Sequence, residues 1–152
     1  MKKAGIFHSD DAKRTLRVIF LALVDLVVIQ FSAFMALLAR FDFSYTLLRE
    51  SMFLDALLRY APWFTMLTVL IFIPFKLYSS LWEFASVDEL LHILLAAMAV
   101  AVLQFAAIVL NLVNLPLSFP MLNAMFLAVL TVLFRFSYRM ARSIARRRSR
   151  RG

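Results

Sequence analysis

Lys76-Leu77-Tyr78-Ser79-Ser80-Leu81-Trp82-Glu83-Phe84-Ala85-Ser86-Val87-Asp88-Glu89-Leu90-Leu91 is the one long polar and aromatic interruption in the central two-thirds of an otherwise apolar chain. Its mixture of Tyr78, Trp82 and Phe84 with Ser79, Ser80 and Glu83 suits a membrane–water interface, where an aromatic ring sits between lipid and headgroup. We read 76–86 as an interfacial segment. Ser86-Val87-Asp88-Glu89 has the form of a capping box, in which Ser86 accepts from the Glu89 backbone N–H and the Glu89 side chain reaches back to that of Ser86. A helix is therefore predicted from about Val87.

Working outward, the composition sets the class. The chain has 152 residues, 64% hydrophobic and 17% charged, with a mean hydropathy of +0.86, which is too apolar for a soluble domain of this length. This is the composition of an integral membrane protein. Seventeen Lys and Arg against nine Asp and Glu leave a net charge of +8, and in such a chain basic residues mark cytoplasmic ends. The absence of cysteine excludes thiolate catalysis and Cys-based metal sites. Gly5 and Gly152 are the only glycines, which excludes a Gly-rich phosphate loop and disfavours the Gly-broken helices of many transporters.

The apolar runs predict an all-α, integral membrane four-helix bundle with spans at about 16–39, 56–75, 87–112 and 119–136. Residues 1–15 form a cytoplasmic segment carrying Lys2, Lys3, Lys13 and Arg14, and 137–152 form a basic cytoplasmic tail or linker. The first run is too long for a signal-peptide core and lacks a small-x-small cleavage site, so it reads as an uncleaved span. An even number of spans puts both basic ends on one side, as the positive-inside rule independently requires. The segment between spans two and three runs against the rule, since Lys76 is outweighed by Glu83, Asp88 and Glu89; acidic residues count little in it.

Polar residues inside the spans are few. Asp25, Gln30 and Gln104 are predicted to be structural. A carboxylate at mid-helix costs on the order of 2.5 to 3.5 kcal/mol on insertion scales, so Asp25 should face other helices or water. It is either a proton or ligand site, or the partner of a charge on a neighbouring helix, with Arg135 or Arg139 at the right depth. We take the second reading, because a single carboxylate with no other ionisable group near the midplane makes a poor proton relay. His92 reads as interfacial, and with only His8 beside it no metal cluster is expected. Small residues four apart, Ser32 with Ala36 and Ala97 with Ala101, are predicted contact faces on helices one and three; Ala124 with Ala128 is left out. The phenylalanines are expected to be mostly lipid-facing.

Arg135, Arg139, Arg142 and Arg146 share a helical face, so the last helix is expected to continue onto anionic headgroups, at roughly 1 kcal/mol per charge. The tail could also serve as a linker. Nucleic acid is not expected as a partner, because nothing else resembles a recognition module.

Asp25, Arg40-Phe41-Asp42, Leu77-Tyr78, Ser80-Leu81-Trp82, Ala85-Ser86, Glu89-Leu90-Leu91 and the arginine-rich close together resemble the amino-terminal four-helix membrane domain of bacterial polysaccharide-biosynthesis proteins, the membrane-anchored nucleotide-sugar 4,6-dehydratase and epimerase-like family. The resemblance extends over nearly the whole chain. Ser79, Glu83, Asp88 and His92 depart from it where the family carries basic residues, and Lys76 where it carries glycine. It implies a non-catalytic anchor in the bacterial cytoplasmic membrane, placing nucleotide-sugar chemistry at the cytoplasmic face beside a catalytic domain or polysaccharide-assembly proteins. The family's NAD-binding Rossmann domain has no counterpart in these residues, so no cofactor, metal or catalytic residue is expected, and the interfacial motif is Tyr78, Ser80, Trp82, Ser86 and Glu89. A homo-oligomer is compatible with this reading. The alternative is a small four-helix transporter or flippase for lipid-linked sugars, for which Asp25, Gln30 and Gln104 are sparse lining.

Overall fold

The computed structural model describes residues 4–74 and 87–152, and every element among them is an α-helix: α1 (Ala4–Arg40), α2 (Tyr45–Glu50), α3 (Met52–Phe72), α4 (Val87–Val109) and α5 (Phe119–Arg151). Four of these, all but α2, are long and apolar enough to cross a membrane, which makes this a multi-pass membrane protein by length and composition. The interfacial residues Tyr78, Ser80, Trp82 and Ser86, and with them the capping box, lie outside the described residues.

The predicted spans are found with different ends. The first reaches back to Ala4 rather than 16, and the fourth continues to Arg151 rather than stopping near 136. Hydropathy marks only the apolar part of a helix, whereas the flanking Lys- and Arg-bearing segments keep good helix formers, contain no Pro, and have glycine only at their outermost ends, Gly5 and Gly152. The second span starts at Met52, not 56, and ends at Phe72; the segment before it contains a short helix, α2, that the charge-balanced sequence did not signal.

The third span ends at Val109, short of 112. There Asn111 takes a left-handed φ of 56°, with the Leu112 N–H on the Ala107 carbonyl at 2.9 Å and that of Asn111 on Ile108 at 3.0 Å. This is a Schellman stop, and Asn tolerates its left-handed position better than most residues. The same pair of bonds closes α1, from Phe43 to Leu38 at 2.9 Å and from Asp42 to Ala39 at 3.3 Å, with Asp42 and Phe43 both at positive φ. With no glycine nearby, Asp and Asn take over the capping position.

The helices pack up and down. Phe20 of α1 meets Tyr138 of α5, with ring centroids 6.1 Å apart, while Ser32, further along α1, meets Asn123, earlier in α5, so these two run antiparallel. Glu89 with Arg139 and Gln104 with Asn123 make α4 antiparallel to α5 in the same way. The start of α1, the start of α4 and the end of α5 consequently lie at one end of the bundle. α5 is the central partner, packing on both α1 and α4, and α3 packs on α1 and α4.

Buried positions on α1 (Leu21, Asp25, Val28, Ser32) and α4 (Ile93, Ala97, Val100, Gln104) alternate steps of four and three, the spacing of left-handed helix packing. Ser32, Ala36 and Ala97 lie in these contact faces. Leaving out the fourth helix was too narrow, since Ala128 is in the core with Ala124 packed against it. Small side chains there admit α1 and α4 to either side of α5. Phenylalanines divide between the two environments: Phe31, Phe105 and Phe136 are exposed, whereas Phe72 and Phe119 are fully buried, the latter stacked on Phe64 with centroids 6.2 Å apart.

A candidate functional site: polar layers in the helix bundle

Two apolar clusters fill the interior. One gathers Val28, Ile29, Phe72, Ile93, Val100 and Leu127; the other gathers Ala36, Leu37, Leu57, Ile108, Val113 and Phe119 toward the loops that join α1 to α3 and α4 to α5. Between them lies a polar layer. The Asn123 side-chain amide donates to Gln104 Oε1 at 3.0 Å, and the Ser32 hydroxyl stands within donating distance of both Asn123 Oδ1 (3.1 Å) and the Ile29 carbonyl (2.9 Å). One residue each from α1, α4 and α5 is thus tied into a single chain, and all three are buried. Where no water competes, the amides of Asn123 and Gln104 find their partners across the helix interface.

Beyond the first cluster, toward the end that holds both termini, comes a charged layer. Arg135 Nη2 of α5 lies 3.2 Å from Asp25 Oδ2 of α1, with both side chains less than a tenth exposed. One turn further along α5, Arg139 Nη2 lies 2.5 Å from Glu89 Oε2 of α4, in a less buried setting. Between α4 and α5, Leu90, Ile93, Val132 and Phe136 join Glu89, Arg135 and Arg139 around a cavity of about 90 Å³, a volume comparable to about three water molecules.

The Asp25 carboxylate therefore faces Arg135, one of its two candidates by depth, while Arg139 is engaged by Glu89. Arg135 has to be removed from the predicted headgroup-binding set. It sits on the expected face of α5, but that face turns into the bundle at this depth, and the guanidinium is 7% exposed. Arg139 is likewise turned to a carboxylate. Arg142 is half-buried and Arg146 exposed, so outward-facing charge on α5 begins a turn or two later than the sequence suggested. Glu89, read as a capping residue, is an inter-helix ion-pair partner, so one of the acids that ran against the positive-inside pattern is turned to Arg139 of α5.

Gln30 is the exception among the intramembrane polar residues. It is exposed, not buried, and its amide reaches α3, where it meets the Thr65 hydroxyl and, at 3.3 Å, the Ala61 carbonyl. Thr65 donates in turn to Ala61 at 2.8 Å.

No protein-family model, curated protein or solved structure matches this chain. The arrangement must be judged on its own chemistry. Among the described residues, no three His, Asp or Glu side chains stand together as a metal site would require. The acids Asp25 and Glu89 each face an arginine on α5, an arrangement that ties helices together as a structural clamp would. Asn123 and Thr131 were not singled out by the sequence. Their signal was present: Asn123, Leu127, Thr131 and Arg135 recur every four residues in α5, and all are buried.

Replacing Glu89 by Gln is expected to lower thermal stability in detergent by an amount equivalent to about 1 kcal/mol, since a partly exposed ion pair contributes little and is weakened further by salt. A loss that is the same at low and high ionic strength would show that Arg139 is held by something other than this charge.

Proposed function

We propose that this chain is a non-catalytic membrane-anchoring domain, with both termini in the cytoplasm of a bacterial cell, that holds nucleotide-sugar chemistry at the inner face of the cytoplasmic membrane. The observation that carries the anchoring part is how the buried polar groups are used. Asp25 is turned to Arg135, and Ser32 and Gln104 to Asn123, so interior polarity goes into fixing helices against one another. A transporter would need polar groups lining a path from end to end. Here the polar layers are separated by the close-packed apolar cluster of Val28, Ala96, Val100 and Leu127.

The shared end of the termini supports the same reading, because Lys13, Arg14 and Arg17 of α1 and the arginines from Arg139 to Arg151 of α5 lie there, outnumbering Arg40, Arg49 and Arg59 toward the other end, and basic flanks remain cytoplasmic. The nucleotide-sugar part rests on the sequence resemblance. Its partners would be a catalytic domain or polysaccharide-assembly proteins, with anionic lipid headgroups meeting Arg142 and Arg146.

Topology reporters fused to each terminus test it. A cytoplasm-dependent fluorescent reporter is expected to be active at both ends and to sediment with membranes after a high-salt wash, and a reporter active only on the outer face to be silent at both. Termini on opposite faces would overturn the topology, and sugar-lipid flux by the purified chain in liposomes would replace anchoring with transport.

A further inference from the structure

We infer that the groove between α1 and α3 is a self-association surface, in which Gln30 of one copy pairs with Gln30 of a second copy of this chain. The inference rests on the membrane-spanning part of the preceding proposal and not on anchoring. Gln30 lies ten residues before Arg40 and thirteen after Arg17, about 15 and 20 Å along the helix, which is mid-depth for a span of this length. Its side chain is exposed there, in a groove lined by Leu26, Ala61, Pro62, Thr65 and Met66.

The hydrogen-bonding of the carboxamide is incomplete. Its two acceptors, the Thr65 hydroxyl and the Ala61 carbonyl, are themselves 2.8 Å apart, so they subtend a narrower angle at Nε2 than the spread of its two N–H bonds. One N–H therefore forks between them, leaving the other N–H and Oε1 for a further partner. Beside it, Pro62 has no N–H to return to the Leu58 carbonyl on the same groove.

Acyl chains offer neither donor nor acceptor at this depth. A remaining donor and acceptor on one amide form a set complementary to itself, so a second copy related by a two-fold axis along the membrane normal satisfies both amides reciprocally. Ala61 and Pro62 keep the α3 wall low enough for close approach, and α3 is the least buried of the four long helices.

The test counts subunits by stepwise photobleaching of the full chain in liposomes at low protein-to-lipid ratio. The wild-type chain is expected to be dimeric, and Gln30→Leu to weaken dimerisation by about tenfold while helix content by circular dichroism is kept. Because that change also removes the tie to Thr65, a second measurement stands apart from it. The chain has no cysteine, so single Leu26→Cys and Met66→Cys variants report proximity directly and are expected to form disulfide-linked dimers on oxidation, whereas Met98→Cys, exposed on α4, is not. A monomeric wild type, a heterologous helix or lipid retained in the groove in place of a second copy, or cross-linking at Met98 as efficient as at the groove would each overturn the inference. None of these results bears on where the termini lie or on flux, so the anchoring proposal is judged separately.

Discussion

Arg135→Met is expected to destabilise the folded bundle by about 3 to 5 kcal/mol, because it leaves the Asp25 carboxylate in the interior without its guanidinium. Asp25 is 3% exposed and Arg135 7%, so neither can turn to solvent when the other is removed. Asp25→Asn is expected to act in the same direction and less severely, since the amide can still accept from Arg135. The double variant Asp25→Leu/Arg135→Met should recover most of the loss, and could exceed the wild type by about 1 kcal/mol or more, because packed apolar side chains replace two desolvated charges. Unfolding in mixed micelles, followed by circular dichroism, measures all three. If the double variant were as unstable as the single one, the pair would be fixing helix register in a way that apolar packing does not reproduce.

Asn123→Leu is expected to cost about 2 kcal/mol. The loss comes from Gln104 Oε1, buried without the amide that donated to it, and from fitting the bulkier Leu into a packed layer. Ser32 is affected less, since its hydroxyl retains the Ile29 carbonyl at 2.9 Å. Gln104→Leu should cost a similar amount, and the two together clearly less than the sum, with a coupling of about 1 kcal/mol in a double-mutant cycle. Simple additivity would mean that the two side chains do not share a bond in the folded bundle.

These two layers also mark where the sequence could be read and where it could not. The four spans follow from apolar runs, and Asp25 announces a partner because an isolated carboxylate among Leu and Val has to be neutralised. Its depth narrows the partner to Arg135 or Arg139. Choosing between them requires the rotational setting of α5, which hydropathy does not contain, and the same missing angle put Arg135 with the headgroup-facing residues. Asn123 escaped notice because, four residues into a helix that follows a Pro-rich turn, a lone amide looks interfacial. Only its neighbours on α1 and α4, distant in sequence by 91 and 19 residues, turn it into a junction. The helix ends beyond the apolar runs were hidden for another reason, since charged residues that form good helices leave the same trace as a solvated tail.

α5 runs without a break from Phe119 to Arg151, about 50 Å at the rise of an α-helix, and so continues roughly 20 Å past a hydrocarbon core of ordinary thickness. Asn123 and Arg135, held on two sides, set the azimuth of the whole rod. The arginines at its far end are consequently indexed to the bundle like the hand of a clock to its spindle. Adding a single residue between Arg139 and Arg146 would swing them by about 100°, so whatever meets that charge does so from a compass bearing dictated deep within the bilayer.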